Sequence, residues 1–155
     1  MAENHRKSNL TYCGAFCGAC GWRLAGTTKD DRYLTEKAKA LEPKELEYWL
    51  SCPGCKVGEH RADCDFRICA KSKDLERCVD CQEFPCQRHE DFNSDGVPHH
   101  ANSLASLKVL KEQGEDAWLD MQEKRWTCSC GAKQSWYLQK CVNCGKEANP
   151  VRKQP

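Results

Sequence analysis

Eight of the fourteen cysteines in the chain stand in four tight pairs, each with two residues between its members. The pairs are Cys17/Cys20, Cys52/Cys55, Cys78/Cys81 and Cys141/Cys144. This spacing lets two thiolates bind one metal ion while the backbone between them folds into a small turn. The sequence therefore predicts a metal-binding protein, with zinc as the preferred ion.

The chain is poor in the side chains that normally build a protein core. Leu, Ile, Val and Phe together make up 23 of the 155 residues, less than the fraction of about one fifth below which a chain struggles to close an apolar core. We therefore expect bound metal to supply part of the cohesion. The predicted fold is a small, metal-stabilised α+β protein with a cysteine-rich lobe of zinc knuckles and helices, a helical hairpin and a C-terminal zinc ribbon.

The composition also predicts where the protein is found. The N-terminal residues are polar and lack the apolar segment of a secretory signal, and no run of about 18 apolar residues is present to span a bilayer. We expect a soluble, cytoplasmic protein. A reducing cytosol disfavours disulfides, so a cysteine content close to a tenth favours metal ligation.

Cysteine spacing and helical periodicity divide the chain into segments. Apolar residues at helical spacing predict a helix from Asp30, a second from Pro43, and a hairpin of two helices separated at Gly114. The predicted organisation is a disordered lead-in over 1–10, a cysteine-rich metal-binding domain over 11–92, a linker and helical hairpin over 93–126, a zinc ribbon over 127–148 and a disordered tail over 149–155.

The most specific motif lies near the C-terminus and predicts a zinc ribbon. Two cysteine knuckles, CSC and CVNC, are followed by Gly131 and Gly145, respectively. Glycine permits the positive φ angle at which backbone N–H groups turn towards a sulfur. The residues SWYL between the knuckles are β-prone and predict a short strand. The predicted ligands are Cys128, Cys130, Cys141 and Cys144, although CSC is one residue shorter than the usual pair.

Ten further cysteines lie in the N-terminal half. Ten is not a multiple of the four ligands that each zinc site needs. His60 and His89 are positioned to complete a deficient site. Spacing alone leaves the assignment of pairs to sites open, because interleaved and sequential arrangements both satisfy it. The candidate ligands, for two to four zinc ions in the whole chain, are Cys13, Cys17, Cys20, Cys52, Cys55, Cys64, Cys69, Cys78, Cys81 and Cys86.

An iron–sulfur cluster at Cys13, Cys17 and Cys20 is the alternative to zinc. Their C-x3-C-x2-C spacing resembles the cluster loop of radical S-adenosylmethionine enzymes, which follows the first strand of a large α/β barrel. A chain of 155 residues with few strand-like runs does not build such a barrel. Zinc is therefore the expected ion, and a cluster completed by a fourth cysteine is the alternative.

Three segments together resemble a known family. YCGAFCGAC, CPGC and CDFRICAKSKDLERCVDCQEFPC, within residues 11–89, are similar to the prokaryotic, cysteine-rich family of unknown function DUF3795. Members with a similar tail continue into a helical hairpin and a W-x-C…SWY…CxxCG ribbon. The resemblance implies metal binding, and it implies no particular activity or substrate.

The predicted function is a non-catalytic module that docks a protein or nucleic-acid partner, without a membrane role or an identified small-molecule substrate. Four-thiolate sites leave no open position for catalysis, and Trp22, Trp136 and Tyr137 are candidate anchors. Three such sites would move the formal charge from +1 to about −5, which disfavours nucleic acid. A redox-sensing, metal-handling or iron–sulfur electron-transfer role is the alternative.

Removal of the metal is expected to unfold the protein, because the chain has few apolar side chains to hold it together. Treatment with a chelator under reducing conditions should lower the melting temperature and collapse the dispersion of the amide NMR spectrum. A metal-free protein that keeps both would contradict the prediction.

Overall fold

Helices form most of the regular structure. A computed structural model describes residues 6–148. Its helices are α1 (Gly21–Thr28), α2 (Glu36–Lys39), α3 (Pro43–Leu50), α4 (Asp65–Ser72), α5 (Gln87–Ser94) and α6 (Ser103–Arg125). Short 3-10 turns lie at Cys17–Ala19, Asp31–Tyr33 and Cys78–Asp80.

Very little β structure accompanies these helices. Within residues 6–148 it consists of two isolated antiparallel bridges, Thr127 to Lys133 and Lys140 to Glu147. The expected α+β class is therefore not confirmed. Among the same residues, no helix combines the length and the apolar character that crossing a bilayer requires.

Local capping divides the helix that was predicted to run from Asp30. The Asp30 carboxylate accepts the N–H of Arg32 at 3.0 Å and so caps a 3-10 turn instead of an α-helix. Thr35 then takes an extended conformation, and its hydroxyl accepts the N–H of Ala38 at 3.2 Å to begin α2. Because these two side-chain hydrogen bonds begin separate turns, the chain does not form the single helix that the spacing of its apolar residues predicts. The prediction that Pro43 begins a helix is confirmed at α3.

Helices α1 and α3 pack closely and form a small core with the chain between them. A Cβ atom at Gly26 would overlap the backbone carbonyl of Leu50, so glycine at this position permits the close approach. The buried members of this core are Leu24, Ala25, Tyr33, Leu34 and Ala38.

Helix α6 is broken at Gly114, as the sequence predicts. Gly114 has φ 83° and ψ 174°, which no α-helix contains. In an unbroken helix Ser106 and Trp118 would stand about 18 Å apart, yet a hydrogen bond of 2.9 Å joins their side chains. The two arms of α6 therefore fold back on each other as a helical hairpin.

The hairpin packs against the cysteine-rich part of the chain and forms the main core with it. Ala19 and Val79 lie inside two of the cysteine pairs, and each is 0% exposed. The buried members of this core are Leu10, Phe16, Ala19, Val79, Leu107, Leu110, Trp118, Leu119 and Trp126. Burial of the residues inside the pairs fixes the turns that carry Cys17/Cys20 and Cys78/Cys81.

The domain boundaries remain predictions. Residues 1–5 of the predicted lead-in and the whole tail over 149–155 lie outside the described residues. Within 6–10, Leu10 is buried in the main core. The Arg6 guanidinium pairs with Glu123 at 3.0 Å and also with Asp120, both on the second arm of the hairpin.

A single hydroxyl joins the hairpin arms to the cysteine-rich segment. Ser106 Oγ donates to the carbonyl of Gly14 at 2.9 Å. It accepts from Trp118 Nε1 at 2.9 Å and from Gln122 Nε2 at 3.1 Å. The hydroxyl thus uses its one donor and both acceptor positions, and all of these groups are buried.

Replacing this hydroxyl is expected to cost about 2 to 3 kcal/mol of unfolding free energy, because Ser106→Ala leaves three buried polar groups without their partner. Denaturant unfolding of the metal-loaded protein measures the loss. Ser94→Ala is the matched control, since the exposed Ser94 hydroxyl bonds within its own helix, to Glu90 at 2.7 Å and Asp91 at 3.3 Å. This change should alter stability by less than about 0.5 kcal/mol. Equal losses in both variants would contradict the assignment.

Candidate metal centre

The four C-terminal cysteines form a compact set of ligand atoms. Their Sγ atoms all lie within 4.8 Å of one another. The Sγ atoms of Cys128 and Cys144 are 3.6 Å apart, as are those of Cys130 and Cys141. In the part of the chain that the structure describes, no other three ligand atoms of Cys, His, Asp or Glu are this close. These four cysteines could hold one metal ion, and the arrangement is consistent with a zinc-ribbon-like site.

Two matching turns bring these cysteines together. Gly131 and Gly145 have φ values of 89° and 71°, as expected for the glycine after each knuckle. Their N–H groups donate to the carbonyls of Cys128 at 2.8 Å and Cys141 at 3.0 Å. In both knuckles the glycine N–H therefore donates to the carbonyl of the first cysteine. Cys128 belongs to the set of four.

Backbone N–H groups point at the sulfurs and favour their charged form. The N–H of Ala132 donates to Cys130 Sγ and, with the side-chain amide of Asn143 at 3.7 Å, lowers the pKa of Cys130 to about 6. The N–H of Cys130 lowers the pKa of Cys128 in the same way. The set therefore contains thiolate character near neutral pH, which suits a cation.

The Cys144 sulfur differs from those of Cys128 and Cys130, because its thiol holds its proton more strongly. The N–H of Lys146 favours the Cys144 thiolate, but burial and the neighbouring sulfurs outweigh it and raise the pKa of Cys144 to about 11. A divalent ion would replace that proton, so metal binding at this site releases it.

Asn143 contacts the candidate site and was not singled out by the sequence analysis. Besides its side-chain bond to Cys130, its backbone N–H lies 3.5 Å from Cys141 Sγ. Its position two residues after Cys141, inside the CVNC turn, is the signal that could have identified it.

The strand predicted over SWYL is wrong, because Trp136 and Tyr137 form a turn. The backbone N–H of Trp136 donates to the carbonyl of Ala19 at 3.1 Å instead of pairing within the ribbon. Its ring stacks on His99, with centroids 4.1 Å apart and planes 7° apart. Contacts to distant segments thus decide the backbone conformation here.

In the N-terminal half, the structure brings the first two cysteine pairs together. Cys17 and Cys55 are in hydrogen-bond contact, and that contact with burial raises the pKa of Cys17 well above its usual value. Cys20 lies near Cys17 and Cys52. We call Cys17, Cys20, Cys52 and Cys55 the first cysteine group. The spacing left this pairing open, and it joins Cys17 and Cys20 to the second pair, with Cys13 nearby.

The geometry of α1 supports the first cysteine group. Cys20 is the N-cap of α1, and the N–H groups of Trp22 and Arg23 donate to its sulfur. Arg23 is buried and donates to the carbonyl of Pro53, inside the second pair. One side chain thus ties the turn at Cys52/Cys55 to the helix that begins at Cys20.

Four of the remaining cysteines of this half lie around a fifth, Cys78. Burial raises the pKa of the Cys78 thiol to about 12, and its sulfur neighbours are Cys13, Cys69, Cys86 and Cys81. Cys13 is also near Cys64 and Cys17, and burial raises its pKa to about 11. Cys13 therefore lies between the first cysteine group and the cysteines around Cys78.

The two candidate histidines occupy different surroundings. His60 Nε2 lies 2.7 Å from the carbonyl of Tyr48, and its ring stacks on the Tyr48 ring. His89 is 1% exposed, its Nε2 lies 3.3 Å from the carbonyl of Cys13, and burial lowers its pKa. Within residues 6–148 neither histidine joins a set of three close ligand atoms.

Comparison with known proteins adds a family but no close relative. No curated protein and no solved structure is significantly similar to the chain. The profile of a family described as "Protein of unknown function (DUF3795)" matches residues 9–91, which is more than half of the chain and contains all ten N-terminal cysteines. The chain therefore belongs to the DUF3795 family.

Proposed function

We propose that this protein is a non-catalytic zinc-binding module, and that the terminal four cysteines are its defining zinc site. Zinc binds sulfur at about 2.3 Å in a tetrahedron, which places the ligand sulfurs about 3.8 Å apart. The observed separations of 3.6 Å and the upper limit of 4.8 Å support this assignment. This convergence of four sulfurs is the observation that carries the proposal.

A zinc ion with four thiolate ligands has a structural role. Its coordination sphere is full, so it has no position at which to polarise a substrate or activate a water molecule. The first cysteine group offers a second four-thiolate zinc site, supported by the contact between Cys17 and Cys55. The zinc ions then stabilise a surface that presents side chains to a partner.

Tyr137 is the best candidate anchor for that partner. Its side chain is 45% exposed, and its hydroxyl lies 2.7 Å from His99 Nδ1, which orients the ring. Trp22 and Trp136 instead pack on Trp49 and His99. An oriented, exposed aromatic ring binds with little loss of conformational entropy.

The charge of the ribbon favours a protein partner over nucleic acid. Residues 127–148 contain three lysines and one glutamate. A zinc ion with four thiolates adds a charge of about −2, so the loaded ribbon is close to neutral. A neutral surface lacks the phosphate attraction on which most nucleic-acid binding depends.

Loss of one terminal cysteine is expected to remove one zinc ion per chain. Elemental analysis of purified Cys144→Ser should show this loss, with a lower melting temperature, because three thiolates bind zinc more weakly. Ser129→Ala is the control, since Ser129 is exposed between two ligands and is not one itself. Unchanged zinc content in Cys144→Ser would contradict the site.

Docking through Tyr137 is expected to give position-specific crosslinks. A photo-reactive amino acid at position 137 should crosslink one discrete protein in cells of the native host. The same group at Val57, which is 63% exposed, serves as the control for exposed apolar positions.

The purified protein should pass through single- and double-stranded nucleic acid columns even at low salt. Salt-sensitive retention would overturn the choice of a protein partner.

A further inference from the structure

Four cysteines of the N-terminal half line a cavity that is partly open to solvent. They are Cys69, Cys78, Cys81 and Cys86, which we call the cavity cysteines. Cys69 belongs to α4, Cys78 and Cys81 bound a 3-10 turn, and Cys86 is the N-cap of α5. Three separate elements thus bring four thiols to one cavity.

The cavity cysteines are spaced differently from the terminal set. At the C-terminus four sulfurs converge within 4.8 Å, whereas around the cavity no three do so. A single metal ion draws its four sulfurs into contact with one another. An iron–sulfur cluster places iron and sulfide between its ligands, so its cysteines stand around a space. The first cysteine group also lacks three sulfurs this close, but there Cys17 and Cys55 are in contact. The cavity cysteines instead stand around a space.

The walls of the cavity suit a negatively charged inorganic group. Phe66 and Phe84 supply apolar surface, and Lys73 and Arg88 supply two positive charges against the one carboxylate of Glu83. Lys73 Nζ lies 3.6 Å from Cys81 Sγ and 2.8 Å from the Glu83 carboxylate, which holds the ammonium group in place. A cluster with four thiolate ligands carries net negative charge, which such a cation stabilises.

We infer that Cys69, Cys78, Cys81 and Cys86 bind an iron–sulfur cluster, each cysteine supplying one thiolate. This site differs from the one that the sequence favoured as the iron alternative, since Cys17 and Cys20 belong to the first cysteine group. It is also independent of the terminal zinc site, with which it shares no residue.

A matched pair of variants tests the inference in the full-length protein. Cys86 and Cys64 are both N-caps of eight-residue helices, but only Cys86 lines the cavity. Serine is a good N-cap, so Cys86→Ser and Cys64→Ser both preserve their helices. The chain is produced without oxygen and with added iron, then assayed for iron, acid-labile sulfide, zinc and visible absorption.

Wild type and Cys64→Ser are expected to contain equal amounts of iron and sulfide and to absorb in the visible range. Cys86→Ser should lose most of its iron and the absorption. A serine oxygen can still bind iron, so Cys81→Ala is included as well. This variant should lose its iron and its visible absorption completely. Circular dichroism of each variant separates ligand loss from unfolding.

Two results would overturn the inference. In the first, Cys86→Ser and Cys81→Ala keep the iron of the wild type. In the second, the wild type contains no iron and Cys86→Ser lacks one zinc ion, which makes the cavity a zinc site. Cys144→Ser, assayed in parallel, should lose zinc and keep iron, so failure of the cluster and failure of the terminal zinc site give different results.

Discussion

Sulfurs that are brought close together repel one another as soon as they ionise, and the fold depends on the dipoles and cations that offset this repulsion. At the C-terminus the offset comes from backbone N–H groups, at Ala132 for Cys130 and at Lys146 for Cys144. At Cys20 it comes from the first N–H groups of α1. The turns and helix starts are thus placed where sulfur charge has to be stabilised.

The short-range features of the fold could be predicted from the sequence. The glycines after the terminal knuckles, the helix start at Pro43 and the break at Gly114 all depend on a few neighbouring residues, and the structure confirms each of them. The helix predicted from Asp30 was wrong for an equally local reason, since the side chains of Asp30 and Thr35 each cap a separate turn.

Features that depend on distant parts of the chain could not be predicted. The pairing of Cys17/Cys20 with Cys52/Cys55 needs the buried Arg23 to join two segments about thirty residues apart. The turn at Trp136 needs Ala19 and His99 as partners. Composition showed that apolar residues are few, but it did not show that they divide between a main core around Trp118 and a smaller core between α1 and α3. Spacing within one segment contains no information about such partners.

Ala19 has two roles in this arrangement. Its side chain is fully buried in the main core between Cys17 and Cys20, while its carbonyl accepts the N–H of Trp136 from the terminal ribbon. This residue therefore joins the turn of Cys17/Cys20 to the chain between the two terminal knuckles. Ions bound at both cysteine groups would each order this contact, so their affinities would be thermodynamically linked.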